Sequence, residues 1–250
     1  RSIWVTGVQT CALPIYHIRR AGVPDSRIVV TPNGVGAEFF GPVDSDAARS
    51  AAGLSGRLVL GFTGFVREWH RLDRVVDLVA KHRDRGWHLV IVGDGPARAA
   101  LEAQAAQLGV RDRVTFTGVV GRDRIRDWVA TFDIALQPHV VPYASPLKIV
   151  EYLALGRAIV APASPNIMEV LRDGENALLF APDDPVAFGA AIERLSNDPA
   201  LRARLATAAR RTIEARDLTW VANARAAERH ARALLASAAR TDERAVEEGG

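Results

Sequence analysis

The sequence predicts an α/β protein built on a doubly wound parallel sheet. Short apolar runs alternate along the chain with segments of helical periodicity. The run Trp87–Val92 is apolar along nearly its whole length, which indicates a strand that is covered on both faces. It stops at the turn Gly93-Asp94-Gly95-Pro96, and a helical pattern follows. This order is typical of parallel strands joined by helical crossovers.

The strands are predicted from short apolar or β-branched runs that end in turn residues. Ile28–Val30 is β-branched and stops at Pro32-Asn33-Gly34, and Leu58–Phe62 stops at Thr63-Gly64. The other predicted strands are Trp87–Val92, Val114–Phe116, Asp133–Leu136, Ala158–Ala161 and Leu178–Phe180.

The helices are predicted from apolar residues three and four positions apart, as for Leu72, Val75 and Val76. The predicted helices are Leu72–Arg85, Ala97–Leu108, Arg122–Thr131, Ser145–Leu155, Pro185–Leu195, Pro199–Ala215 and Trp220–Ala238. The polar tail, residues 240–250, ends in two glycines and is predicted to be disordered.

Composition indicates an ordinary globular protein. The 250 residues are 48% hydrophobic and 24% charged, with a net charge of +3. This mild excess predicts a solvated arginine-rich surface, and contact with phosphates or anionic lipid head groups is the alternative. No nucleic-acid partner is expected. Cys11 is the single cysteine, which excludes an intrachain disulfide. No apolar run reaches the roughly 18 residues of a membrane-spanning helix.

The opening segment fits no structural element. Residues 1–15 show neither helical nor strand periodicity, and the string VTGVQTCALPI resembles a translated sequencing adapter. We therefore predict that residues 1–15 are non-native, that the biological chain begins near Tyr16, and that its N-terminal part is missing.

Ligands of doubly wound folds bind at the carboxyl ends of the strands. The segments that follow the predicted strands there are Gly64–His70, Gly93–Pro96, Gly118–Val120 and Pro138–Lys148.

The segment from Ser145 to Glu151 is suited to a nucleotide. Ser145 is a good helix N-cap and Pro146 fits the first helical position. The free amides of Leu147 and Lys148 would bind phosphate, and the Lys148 ammonium would strengthen that bond. Glu151 lies one turn deeper and suits two vicinal ribose hydroxyls. The alternative is a capped helix whose Lys148 and Glu151 side chains are only solvated.

The loop after the second predicted strand has Gly64, which lets backbone approach a ligand. Arg67 and His70 could reach a diphosphate from the side opposite Ser145. Taken alone, His70 is more typical of a packing residue, and so is Trp69.

The sequence gives little support for an oxidoreductase or for a metal site. The Gly93-Asp94-Gly95 sequence resembles the start of a dinucleotide fingerprint, but Arg98 stands where a third glycine should be, which argues against an oxidoreductase. The histidines are scattered without metal-ligand spacing, so no metal site is predicted.

Five segments in order resemble the C-terminal domain of family 4 glycosyltransferases, over roughly residues 16–238. They are Thr31-Pro32-Asn33-Gly34-Val35 with Phe39, then Val92–Pro96, Val114–Val120, Ser145–Ala161 and Asp173–Leu179. The resemblance implies the C-terminal half of a GT-B fold, which has two Rossmann-like halves. It also implies transfer from a nucleotide-diphosphate sugar with retained anomeric configuration and without a metal or other cofactor.

By this resemblance, Glu151 is the second glutamate of a Glu-x7-Glu motif, and Tyr143 stands at the first. Phe65 and His70 stand at the family's phosphate-binding Arg and Lys positions, and Arg67 is expected to substitute for the missing charge. The implied catalytic residues are Arg67, His70 and Lys148. The implied donor-binding residues are Gly64, Phe65, Gly93, Gly118, Val119, Tyr143, Ser145, Pro146, Leu147 and Glu151.

The resemblance also divides the chain. Residues 16–30 are predicted to be a remnant of the N-terminal domain and linker, residues 31–218 the donor-binding domain, and residues 219–239 a crossover helix. The missing acceptor domain and a nucleotide sugar are the expected partners, and the fragment alone is expected to be inactive. A cytoplasmic location is predicted, with peripheral contact at the inner face of the membrane left open. The alternatives are a non-catalytic nucleotide-binding module and a GT-B-type nucleotide-sugar epimerase.

Overall fold

One parallel sheet organises the part of the chain that the structure describes. This computed structural model describes residues 18–41, 43–141, 144, 145 and 147–247, with side chains up to residue 236. The strands are β1 (Leu58–Thr63), β2 (Trp87–Val92), β3 (Val114–Phe116), β4 (Ile134–Leu136), β5 (Ala158–Pro162) and β6 (Leu178–Phe180). Their order is β3-β2-β1-β4-β5-β6, and every pairing is parallel. The predicted doubly wound parallel sheet is therefore confirmed.

Helices cover both faces of this sheet. They are α1 (Ser45–Ala51), α2 (Leu72–Lys81), α3 (Arg98–Gln107), α4 (Arg122–Ala130), α5 (Leu147–Ala154), α6 (Pro165–Met168), α7 (Pro185–Asn197), α8 (Pro199–Ala215) and α9 (Trp220–Glu247). Short 3-10 turns lie at Asp25–Arg27, Ala37–Phe39, Glu68–His70, Arg83–Arg85 and Arg111–Arg113.

Two hydrophobic clusters lie on opposite faces because successive strand side chains point to opposite sides. Leu60 and Phe62 of β1 belong to the cluster that α2 and α7 complete. Val59 of β1 belongs to the other cluster, together with Ile149 of α5. Since β1 is buried on both sides, the loop that follows it has a rigid base.

Two sequence predictions were wrong. Ile28–Val30 forms no strand, and Val29 and Val30 are each 56% exposed. Its β-branched residues favour a strand only when a neighbouring strand pairs with them, and the sheet described here has β3 and β6 at its edges. Most of the tail that was predicted to be disordered, residues 240–250, instead continues α9 to Glu247. Its alanine, arginine and glutamate residues are strong helix formers, and the two terminal glycines come only after the helix ends.

Helix boundaries also differ from the predictions in particular places. The segment predicted as one helix, Leu72–Arg85, is an α-helix to Lys81 and a 3-10 turn at Arg83–Arg85. The break lies at His82, whose backbone is not helical. Helix α1 was not predicted, although the Asp44 side chain caps it by accepting from the amides of Asp46 and Ala47 at 3.1 and 2.9 Å.

The segment before β1 is joined to the end of α8. The Val35 amide donates to the Leu218 carbonyl at 3.0 Å, and the Trp220 amide donates to the Val35 carbonyl at 3.3 Å. A Cβ at Gly34 would lie 2.5 Å from the Thr219 carbonyl carbon, so glycine permits this approach. The two ends of the predicted donor-binding domain thus meet.

Other predictions on the chain ends stay predictions. The proposed non-native segment, residues 1–15, lies outside the described residues. On α9, Val221 and Leu235 are 55% and 72% exposed. None of the helices described is both long and apolar enough to span a bilayer.

Candidate functional site

A cavity of about 550 Å³ opens at the carboxyl edge of the sheet. Loops after β1, β2, β3 and β4 and the start of α5 form its walls, as the rule for doubly wound folds leads one to expect. Its lining residues are Thr63, Gly64, Phe65, Arg67, Trp69, His70, Val92, Gly93, Asp94, Val119, Val120, Ile125, Gln137, Val140, Ala144, Ser145, Leu147, Lys148 and Glu151.

The structure brings most of the predicted site residues to this one cavity. Those that line it are Gly64, Phe65, Arg67, His70, Gly93, Val119, Ser145, Leu147, Lys148 and Glu151. Gly118 is not among the lining residues; with a φ of 69° it turns the chain that carries Val119. Tyr143 and Pro146 lie outside the described residues. The roles assigned to all these residues stay predictions.

The loops after β1 and β2 are hydrogen-bonded to each other. The Gly64 amide donates to the Val92 carbonyl at 2.9 Å, and the Val66 amide donates to the Asp94 carbonyl at 2.8 Å. Gly93 has a φ of 135°, and a Cβ there would lie 2.1 Å from the Gly64 carbonyl oxygen. Gly93 therefore allows the two loops to pack against each other, whereas the resemblance implied only a donor-binding role for it.

Asn33 fixes the residue at the start of α5. Its amide nitrogen lies 3.0 Å from both the carbonyl oxygen and the hydroxyl of Ser145. Nearby, Asn223 donates to the Pro32 carbonyl at 2.7 Å. The Thr31–Val35 segment thus holds in place the residue that precedes α5. This segment was not among the predicted site residues.

His70 is held as a neutral ring. Its Nδ1 accepts a hydrogen bond from the Arg67 amide at 3.3 Å, and its ring packs 3.8 Å from that of Trp69, measured between centroids. Burial, assisted by the positive charge of Lys148, lowers the pKa of His70 to about 3. Since Nδ1 accepts, the neutral ring carries its proton on Nε2, where it can donate one hydrogen bond.

Lys148 lines the cavity, and its ammonium group lies over an aromatic ring. Its Nζ lies 4.0 Å from the centroid of the Phe62 ring, over the ring face. Burial lowers the pKa of Lys148 to about 7, and the Glu151 carboxylate opposes that shift. Among the described residues, no carboxylate lies within ion-pair distance of Nζ. The ammonium is thus available for an anion.

Glu151 lies inside the cavity, whereas Arg67 lies at its exposed rim. Burial raises the pKa of Glu151, while the charges of Lys148 and Arg122 lower it. Arg67 is exposed, and its guanidinium carbon lies 4.8 Å from the centroid of the Phe65 ring. The cavity therefore has a carboxylate and a cation inside and a second cation at its rim.

Several lining residues were not predicted as site residues. Gln137 follows β4, is 1% exposed, and donates to the His139 carbonyl at 2.5 Å. Trp69, predicted as a packing residue, also lines the cavity and is 37% exposed. A polar residue directly after the apolar strand β4 was the sequence signal for Gln137.

No cluster of three or more His, Cys, Asp or Glu side chains suited to a metal occurs in the part of the chain that the structure describes.

Comparison with known proteins identifies the family. The family model described as glycosyl transferases group 1 matches residues 57–198, which include all six strands of the described part of the chain. This chain belongs to the group 1 glycosyltransferases. The D-inositol 3-phosphate glycosyltransferase of Xylanimonas cellulosilytica is 34% identical over 206 residues, which cover 77% of this chain and 48% of that protein.

A second similar relative is the alpha-D-kanosaminyltransferase of Streptomyces kanamyceticus. It is 27% identical over 194 residues, or 75% of this chain and 50% of that protein. The chain thus spans about half the length of the curated relatives it matches.

Solved structures share the fold of this glycosyltransferase chain. Anabaena HepE in complex with UDP superposes with a TM-score of 0.77 at 22% identity, over 90% of this chain and 63% of HepE. The C-terminal domain of the group 1 glycosyltransferase LpcC from Francisella tularensis superposes with a TM-score of 0.65 at 19% identity, over 73% of this chain and 97% of that domain. The fold is therefore the Rossmann-like fold of GT-B glycosyltransferases.

Proposed function

We propose that this chain is the donor-binding domain of a retaining family 4 glycosyltransferase that uses a nucleotide-diphosphate sugar. One observation carries the proposal: Gly64, Arg67, His70, Lys148 and Glu151 all line a single cavity at the carboxyl edge of the sheet. A cation, a neutral donor and a carboxylate within one cavity match the diphosphate and ribose of such a donor.

The diphosphate would bind between the loop after β1 and the start of α5. The Lys148 ammonium and the Nε2–H of His70 would contact its oxygens, with Arg67 closing the site from the rim. During transfer, the bond from the anomeric carbon to the diphosphate breaks, a bond from that carbon to the acceptor oxygen forms, and the proton of the acceptor hydroxyl passes to the departing diphosphate. Negative charge then grows on the departing diphosphate, and these groups stabilise it electrostatically.

Glu151 would bind the ribose. It lies one helical turn from Lys148, so its carboxylate and the ammonium share a face of α5. Among the described residues, the Glu151 carboxylate has no side-chain ion pair. A carboxylate that is partly buried without such a partner is available to two vicinal hydroxyls.

The structural relatives suggest the first donor to try. Anabaena HepE is described in complex with UDP and with UDP-glucose. We therefore propose a uridine nucleotide as the first probe of the cavity, followed by guanosine, adenosine and thymidine diphosphates.

Calorimetric titration of that panel tests the proposal. We expect one nucleoside diphosphate to bind, and Glu151→Gln to weaken it by about 1 to 3 kcal/mol, because hydrogen bonds to a charged group are lost. Glu175→Gln is the matched control, since Glu175 lies on an exposed loop. If Glu151→Gln binds as tightly as the wild type, the ribose assignment is wrong.

Two outcomes would favour the alternative functions. Conversion of a bound nucleotide sugar into its epimer, followed by proton NMR, would indicate an epimerase. Tight nucleotide binding that is indifferent to the sugar, combined with no transfer when an acceptor-binding half is supplied, would indicate a non-catalytic module.

A further inference from the structure

Phe62 contacts both groups that the proposed function assigns to the inner diphosphate site. Its ring centroid lies 4.0 Å from Lys148 Nζ and 4.9 Å from the centroid of the His70 ring. Phe62 is 0% exposed and is not among the residues that line the cavity. Its ring therefore lies behind the site and supports two of its side chains.

Lys148 needs such support because its side chain has many rotamers. No carboxylate of the described residues lies within ion-pair distance of Nζ, so no salt bridge selects one rotamer. The face of an aromatic ring attracts an ammonium through its quadrupole. A Cβ at Gly64 would lie 3.3 Å from both Cε and Nζ, so glycine leaves the room that the lysine occupies.

His70 is fixed from three directions. The Arg67 amide donates to Nδ1 at 3.3 Å, which sets the tautomer. The Trp69 ring packs on one side with a centroid distance of 3.8 Å, and Phe62 meets the imidazole at an interplanar angle of 64°. Loss of the Phe62 ring would leave the imidazole free to tilt.

We propose that Phe62 is a positioning residue that holds the Lys148 ammonium and the His70 imidazole ready for the diphosphate before the donor arrives. This inference rests on the proposed function. Leucine at this position would keep an apolar core residue but would remove the ring face, so the two groups would have to be ordered when the donor binds.

The sequence allows a direct spectroscopic test, because Lys81 and Lys148 are its only lysines. Reductive methylation of the full chain with 13C-formaldehyde labels these two side chains, and the labelled N-terminus is recognised by its own shift. Lys81 is 68% exposed and serves as the internal reference. At about pH 5 both labelled lysines are protonated, because the pKa of Lys148 is about 7. At that pH we expect the Lys148 methyl resonance upfield of that of Lys81, because Nζ lies over the Phe62 ring.

Two leucine variants separate positioning from core packing. Phe62→Leu should move the Lys148 resonance to that of Lys81 and should weaken binding of unmodified protein to UDP about three- to thirty-fold. It should leave binding of uridine unchanged. Phe188→Leu is the matched control, because Phe188 is equally buried at 1% exposure but packs against Phe180. It should change neither the resonance nor the affinity.

Other results would overturn the inference. Coincident lysine resonances in the wild type would contradict it without any variant, so the test stands even if Phe62→Leu fails to fold. Equal loss of UDP affinity in Phe62→Leu and Phe188→Leu would also contradict it. A third outcome separates the two proposals. If no nucleoside diphosphate binds although the Lys148 resonance is upfield, the proposed function is wrong but the Phe62–Lys148 contact is correct. Titration with inorganic pyrophosphate then tests whether that contact positions Lys148 for an anion. Absence of pyrophosphate binding would refute the positioning role.

Discussion

The hydroxyl of Tyr152 accepts a hydrogen bond from the amide of Thr63 at 2.8 Å and a second from the Thr63 hydroxyl at 3.2 Å. This pair joins helix α5 to the last residue of β1, directly before Gly64. Burial raises the pKa of the Tyr152 phenol, so it is neutral at physiological pH. The contact explains how two segments far apart in sequence keep Lys148 beside Gly64.

Tyr152→Phe should destabilise the fold. The variant leaves the buried Thr63 amide without its acceptor, and we expect the free energy of unfolding to fall by about 1 to 3 kcal/mol. Urea denaturation measures the change. Thr63→Val is the control, because it removes only the threonine hydroxyl and keeps the hydrogen bond from the backbone amide of residue 63 to the Tyr152 hydroxyl. A loss as large for Thr63→Val as for Tyr152→Phe would contradict the assigned role of the amide.

Binding of a nucleoside diphosphate should weaken as the pH rises above about 7. Burial lowers the pKa of Lys148 to about 7, so the free protein loses this ammonium above that pH, whereas a bound diphosphate favours the protonated form. Binding should therefore take up a proton, which calorimetry at about pH 8 in two buffers of different ionisation enthalpy detects. Asp94, Glu151, His70 and Arg67 are the other titratable groups that line the cavity.

Lys148→Met should abolish this proton uptake and weaken a nucleoside diphosphate more than the corresponding nucleoside. Lys81→Met is the matched control, because Lys81 lies on α2, is 68% exposed and does not line the cavity. Undiminished proton uptake in Lys148→Met would show that a different group titrates.

Acid should destabilise the fold through His70. The pKa of His70 is lowered from 6.5 to about 3, so below pH 6.5 the unfolded chain binds a proton that the folded chain does not. The free energy of unfolding should therefore fall as the pH drops from about 6.5 toward 3. Burial lowers the pKa of His88 to about 4, which adds a contribution of the same sign.

Urea denaturation at about pH 7 and about pH 4.5 checks this linkage. His70→Gln and His88→Gln should each reduce the loss of stability between the two pH values. His230→Gln, at an exposed position on α9, should leave the loss unchanged. The same loss in all three variants would exclude a contribution from the buried imidazoles.

Gly93→Ala should be far more destabilising than another glycine substitution at positive φ. Its Cβ would meet the Gly64 carbonyl oxygen at 2.1 Å, whereas a Cβ at Gly53 meets nothing within 4 Å. Gly53→Ala should therefore cost about 1 kcal/mol of backbone strain. Gly93→Ala should cost more than about 4 kcal/mol or prevent folding. Similar melting temperatures for the two variants would contradict the packing role of Gly93.

The sequence predicted the sheet because each buried strand has an apolar run with a turn after it. Trp87–Val92 and Val114–Phe116 were predicted with the bounds that the structure gives. Ile28–Val30 has the same local pattern and forms no strand. Strand formation also requires a pairing partner, and partners are set by the rest of the fold.

The sequence by itself determined the doubly wound architecture, the edge at which a ligand would bind, and part of the set of residues that line the cavity there. Periodicity and turn chemistry are local properties, and parallel strands must bring their carboxyl ends to one side. Only the tertiary structure decided that Gly93 packs against Gly64, that Asn33 braces Ser145, and that Phe62 lies behind Lys148 and His70. These contacts join residues that are distant in sequence, and the pKa values of His70 and Lys148 depend on burial that arises only when the loops pack together.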